Sequence, residues 1–197
     1  MGDNESTQND AASGDTDADG VSNGSACQIT LVQADMLQQV NDARSKPHRC
    51  GDKDYSATAP LSWDCKLKLA ALAHTTDMAE NNFFSHTGSD GLDPGTRISA
   101  QGYSAVSWGE NIAAGFSTIE SVMIAWLESP GHCKNIMSPA FKDLGMARVQ
   151  TSTSDFAMYW TQDFGASAVS NPAPADQPFI YTGQLSGEGV RRYPDKL

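Results

Sequence analysis

From Ile29 onward, apolar side chains recur at intervals of three and four. Ile29, Val32, Met36, Leu37, Val40 and Ala43 fall on one face of a helix, which Pro47 bounds. A loop holding Cys50-Gly51 leads to Pro60. Ser62 or Asp64 is placed to cap a second helix that runs to about residue 82. Its buried stripe is Leu67, Ala70, Ala71 and Met78, with His74 among them. Residues 88–95 are rich in turn formers, and 96–101 reads as a short helix ended by Gly102. Ile119, Val122, Met123 and Trp126 mark a third helix, stopped by Pro130-Gly131.

After Asn135 the period drops to two. Leu144, Met146 and Arg148 alternate, as do Phe156, Met158, Trp160, Gln162 and Phe164. Two antiparallel strands follow, joined by a polar hairpin over 150–155, and 110–114 adds a further strand. Helices first and strands last predict an α+β fold in which helices cover an antiparallel sheet. No internal repeat is visible.

Outside 27–167 the pattern vanishes. Residues 1–26 are mostly Asp, Asn, Ser, Gly, Thr and Ala; they bury too little apolar area to offset chain entropy, so a disordered acidic linker is expected. Asp15-Thr16-Asp17-Ala18-Asp19-Gly20 matches the first half of a calcium loop. Ala26 stands where the loop needs a bidentate Glu, however, and no helix precedes it. Residues 168–197 turn to Pro, Ala, Gly and Asp and read as a tail, with Phe179, Ile180 and Tyr181 its main apolar group.

Six acids and no base in the linker supply more than half of the net charge of −11. The domain itself is only mildly acidic and has no basic stripe, which argues against nucleic acid and anionic membrane surfaces. No run of 18 apolar residues offers a transmembrane helix. Met1-Gly2-Asp3-Asn4-Glu5 lacks the basic and apolar regions of a signal peptide. The spacer-like linker nevertheless leads us to expect a natural precursor with a secretory or lipoprotein signal, and a secreted or extracytoplasmic, lipid-anchored location. Four cysteines permit two disulfides in an oxidising compartment, or four reduced thiols in the cytosol.

Candidate chemistry centres on the four histidines. His86 and His132 lie in Gly- and Pro-rich turns, where imidazoles are available to ligands. His74 sits on an apolar stripe and reads as a hydrogen-bonded core group, and His48, beside Pro47, as a loop residue. Glu110 stands between Gly109 and Asn111 at the start of an apolar run and needs a partner if buried. There is no His-Glu-x-x-His helix, no Gly-x-Ser-x-Gly elbow, no Gly-rich phosphate loop and no Cys-x-x-Cys pair.

Taken together these residues resemble the CAP superfamily of cysteine-rich secretory proteins, venom allergens and pathogenesis-related proteins, in its bacterial secreted, SCP-like branch. The resemblance rests on Asp77-Met78-Ala79 with Asn82-Phe83-Phe84-Ser85-His86, and on Gly109-Glu110-Asn111-Ile112-Ala113. It continues through Trp126 with Ser129-Pro130-Gly131-His132, then Asn135-Ile136-Met137 and Tyr159-Trp160-Thr161-Gln162. These five blocks keep the family's order and spacing.

The resemblance implies a three-layer α/β/α sandwich with a central antiparallel sheet and a large cleft. The cleft would carry His86, His132 and Glu110 and bind zinc or another divalent cation. The family's second acid would fall at Ser129; Glu128, one position off and so turned by about 100° on a helix, is the nearby substitute. In similar bacterial sequences a Cys-Gly before the second helix and a Cys after the cleft histidine occur together. That implies Cys50–Cys133, and leaves Cys27–Cys65. The implied function is a monomeric binding module for a lipid, another small hydrophobic ligand, a peptide or a cell-wall fragment. A metal-dependent hydrolase or peptidase, and a structural or adhesive domain, are the alternatives.

Overall fold

Four of the five helices begin where a side chain satisfies unpaired N–H groups; the fifth opens on a proline without a side-chain cap. Thr30 and Gln33 form a reciprocal capping box that opens α1 (Leu31–Arg44). Of the two candidate caps for α2 (Cys65–Glu80), Asp64 is the one used, accepting from the N–H groups of Lys66 and Leu67. Asp93 caps α3 (Pro94–Ala100), which starts two residues earlier than the pattern suggested because Pro94 sits at its first turn. Pro130 ends α4 (Ile119–Glu128) and also opens α5 (Pro130–Met137). Those helices frame a four-stranded sheet in the computed structural model, which describes residues 28–168. The expected linker 1–26, Cys27 and the tail from 169 lie outside the described residues.

The sheet has the order β3-β5-β6-β4, formed by β3 (Ser62–Trp63), β5 (Asp143–Gln150), β6 (Met158–Ser167) and β4 (Ala105–Ala114). The β4–β6 and β5–β6 pairs are antiparallel, as the alternation implied. The two-residue β3 is a departure: it adds a parallel pairing to β5, and is too short to show a period. The expected loop around Cys50-Gly51, with His48 in it, is instead a small antiparallel hairpin of β1 (His48–Cys50) and β2 (Lys53–Tyr55). Three-residue strands carry no readable alternation; the turn is made by Gly51 at φ 60°.

Strand alternation sends two side-chain sets to opposite faces. Leu144, Met146, Trp160 and Phe164 meet Met36 and Val40 of α1, Val122, Met123 and Trp126 of α4, and Ile136 and Met137 of α5. On the other face, Tyr159 and Ile112 pack with Met78 and Ala79 of α2. There, α2 crosses so close to β5 that a Cβ at Gly145 would overlap the backbone of Leu67 and Lys68. The expected α/β/α layering is what the chain forms. Cys50–Cys133 ties β1 to α5 across 83 residues, and closing a loop of that length contributes about 4 kcal/mol in the chain-entropy account. Cys65 is disulfide-bonded too, while its expected partner Cys27 lies outside the described residues.

Arg44, the last residue of α1, is wholly buried and pairs with no carboxylate among the described residues. Its guanidinium donates to the carbonyls of Ala59 (2.8 Å), Ile136 (2.7 Å), Ser138 (2.9 Å) and Phe141 (3.5 Å). One side chain thereby closes the end of α5 and the turn that follows it onto α1. Burial lowers its pKa to about 10, which still leaves it charged at neutral pH. Replacing it with Met keeps the stem but strands the buried carbonyls of Ile136 and Phe141, at about 1–3 kcal/mol for each one left without a donor. Arg44→Met is therefore expected to lower unfolding free energy by at least ~2 kcal/mol in denaturant titration, a larger loss than that of any exposed Arg or Lys replaced in parallel.

Candidate functional site

Glu110 lies in the middle of β4 and is almost completely buried. A carboxylate there must be paired, and both of its oxygens are. Oε1 accepts from Nδ1 of His86 at 2.6 Å, and Oε2 accepts from a guanidinium N–H of Arg97 on α3 at 2.7 Å. The same Arg97 donates to the carbonyls of Leu92 (2.7 Å) and His86 (2.9 Å). It therefore both balances the charge of Glu110 and clamps the backbone that carries His86. With Nδ1 committed to Glu110, Nε2 of His86 is the ring nitrogen left for a ligand, and the side chain is about half exposed (52%).

The loop bearing His86 is held from beneath by α2. His74, fully buried, is 2.8 Å from the carbonyl of Ser85 through Nε2 and 4.0 Å from Oε1 of Glu110. Burial, chiefly, lowers its pKa against the attraction of Glu110, so it stays neutral and donates that bond. This is the hydrogen-bonded core histidine that its stripe position suggests, and it also supports the site. Asp77, a turn later, accepts from the N–H and hydroxyl of Ser89 and from Asn81, fixing the far side of the loop.

His132 reaches the same place from α5, across the open edge of β4. Asn135, one turn along α5, donates to the Glu110 carbonyl (3.1 Å) and to Asn111 Oδ1 (2.9 Å). Asn111 in turn donates to the His132 carbonyl (3.3 Å) and to Gln162 (3.1 Å). This amide lattice docks α5 along the strand edge, and the disulfide at Cys133 anchors the next residue. Partial burial, and then the neighbouring His86, lower the pKa of His132, so its imidazole is neutral at pH 7. Glu128 is not drawn in: it is exposed at the end of α4, and the adjoining groove is lined by Ser129 and His132.

Two residues of the cluster escaped the sequence reading. Arg97 sits on a short helix with nothing in its spacing to mark it. Asp163 stands directly opposite Glu110 in the β4–β6 register and is 1% exposed. Among the described residues, no donor reaches either of its oxygens. Burial first, and the charge of Glu110 second, push its pKa well above the ordinary carboxylate value, against the pull of Arg97. Asp163 thus holds its proton to higher pH than an ordinary carboxyl does. An acid inside a strand of aromatic and amide residues was the available signal, since Asp is depleted in strands.

Does this arrangement suit a metal? Among the described residues no group of three or more His, Cys, Asp or Glu side chains is arranged to hold one. Glu110 has no oxygen to spare, so it orients an imidazole. Two imidazoles, those of His86 and His132, remain, a donor set that fits a weak, water-completed divalent site rather than a closed four-ligand one.

Comparison with known proteins agrees with this geometry. The family profile described as CAP, the cysteine-rich secretory protein family, matches residues 37–164. The uncharacterized protein YkwD of Bacillus subtilis is 37% identical over 105 residues, covering 53% of this chain and 39% of its own length. The uncharacterized membrane protein YlbC of the same organism is 30% identical over 106 residues, 54% of this chain and 29% of its own. The chain's match thus spans less than half of either relative. An extracellular SCP-domain protein of Bacillus anthracis superposes with a TM-score of 0.53 at 28% identity, covering 68% of this chain and 41% of that one. An outer surface protein of Borrelia burgdorferi shares the fold, with a TM-score of 0.53 at 20% identity over 72% of this chain and 99% of that one.

The buried Asp163 makes a prediction with a definite sign. Its folded pKa is raised above the unfolded value, so the folded state holds a proton that the unfolded state releases as pH rises. Stability is thereby lost with rising pH above the ordinary carboxylate range. Asp163→Asn cannot titrate. Relative to wild type it should be near neutral at pH 4 and gain with pH, by about 1 kcal/mol per pH unit until the folded group ionises. Thermal unfolding of both proteins from pH 4 to 8 measures this; parallel pH profiles would show that Asp163 is ionised in the folded state.

Proposed function

The chain belongs to the cysteine-rich secretory protein family, and from that premise we propose that it is an extracytoplasmic binding module whose two-histidine cleft holds a divalent transition metal weakly, zinc foremost. The observation that carries this reading is the 2.6 Å contact of the buried Glu110 carboxylate with Nδ1 of His86. A carboxylate behind the far nitrogen of an imidazole fixes the tautomer and raises the basicity of the near one. His132, neutral and close enough to His86 to lower its own pKa, supplies the second nitrogen, and water the other positions.

Hydrolysis is the weaker reading because it lacks a base. A metal hydrolase needs an acid free to take a proton from bound water. Both oxygens of Glu110 are occupied, Asp163 is sealed beneath it, and Glu128 points into solvent. The extracytoplasmic location is supported by the Cys50–Cys133 disulfide, which fits an oxidising compartment, and by the extracellular Bacillus anthracis relative.

Titration calorimetry with zinc tests the site. His86→Ala and His132→Ala should each abolish measurable binding, and Glu110→Gln should weaken it by about 10–100-fold. Affinity should fall as acid protonates the imidazoles, with His132 competent to below the ordinary histidine value because burial lowers its pKa. Chelator should leave the melting temperature unchanged, since the core and the disulfides hold the fold. Wild-type affinity in either alanine variant would overturn the reading, and chelator-induced unfolding would replace it with a structural metal.

A further inference from the structure

Past His132 the cleft continues into a groove between α4, the end of β4 and the hairpin that joins β5 to β6, with a volume of about 290 Å³. Trp126 and Ile112 line it as buried residues, and Phe84, Phe116 and Phe156 line it as well; its polar residues are Ser129 and His132. Phe84 and Phe156 are 49% and 41% exposed, with ring centroids 6.4 Å apart. They come from different loops, one two residues before His86 and the other on the hairpin tip. Aromatic side chains gathered in water beside an apolar groove contribute little to the core and mark a surface that something else covers.

We propose that this groove receives the aromatic side chain of an extended peptide, with the peptide backbone beside that residue lying against Ser129 and His132. The inference rests on the reading of the two-histidine cleft as the ligand site and names the class of ligand. Size is the first argument. At about 290 Å³ the groove has roughly twice the space of the ~150 Å³ cavity that takes a benzene ring, room for one aromatic side chain and the backbone beside it. Lining is the second: four aromatic side chains offer the faces and edges against which a guest ring packs in offset or edge-on geometry. Charge is the third. No Lys or Arg lines the groove, so a fatty-acid carboxylate finds no cation there. A hydroxyl and an imidazole, by contrast, supply both donors and acceptors for an uncharged peptide unit.

The full chain, isotope-labelled, can be titrated in NMR with acetyl-Ala-Phe-Ala-amide, acetyl-Ala-Ala-Ala-amide and laurate, each with chelator present. The Phe peptide is expected to shift the amides of Ala113, Ala114, Ala125 and His132 and to bind at least tenfold tighter than the Ala peptide. Ala125→Phe, which fills the groove from α4, should weaken the Phe peptide at least tenfold; Phe156→Ser, at the exposed rim, should weaken it severalfold and decides the matter if the first variant does not fold. Equal binding of the two peptides, unchanged binding in the folded variants, or a laurate response without a Phe-peptide response would overturn the proposal. A parallel zinc titration separates it from its premise. Zinc binding with no peptide response defeats the groove alone, and peptide response with no zinc binding defeats the metal reading alone.

Discussion

A carboxylate cannot sit inside a sheet unpaired, and the pairing of Glu110 organises this molecule's cleft. Its charge requires the guanidinium of Arg97, which brings α3 against β4. Arg97 then has donors left over, and spends them on the carbonyls of Leu92 and His86. The second carboxylate oxygen takes the His86 ring. A loop with little apolar content is thereby held in one conformation by charge-assisted bonds in a water-poor environment, where such bonds are strongest. Asp163 adds a carboxyl to the same layer without adding a cation, and burial first, then the charge of Glu110, raise its pKa.

The edge position of β4 gives the cleft its other wall. An edge strand exposes backbone groups on one side, and here side chains of the flanking helices cover them. Asn135 takes the carbonyl of Glu110, and Trp126 that of Ile112. The contacts that seal the edge also set how far α4 and α5 lie from the sheet, and so where His132 stands relative to His86. Fold stability and site geometry are coupled at this line: Cys133, next to His132, is bonded to Cys50, and Arg44 closes the end of α5.

The readable part of the fold was the part with long periods. The stripes of α1, α2 and α4 and the alternation of β5 and β6 appear in the order of residues because burial demands them over many turns. Short elements were opaque for the converse reason: β1, β2 and β3 are too brief for a period to show. At the site, Glu110, His86 and His132 could be named from family-like blocks, and the structure brings Glu110 onto His86. Glu128, offered as the nearby substitute for a second acid, stands exposed at the end of α4. Arg97 and Asp163 act through pairing across elements, which no local spacing encodes. Only the strand register puts Asp163 opposite Glu110.

The central claim is that Glu110 orients His86 through Nδ1 and leaves Nε2 for a ligand. Long-range proton–nitrogen correlation of the histidine rings measures this directly at neutral pH. The account requires His86 to be the Nδ1–H tautomer, with an unprotonated Nε2 whose resonance moves when zinc is added. An Nε2–H tautomer, or zinc perturbing Nδ1 while Nε2 stays protonated, would contradict it.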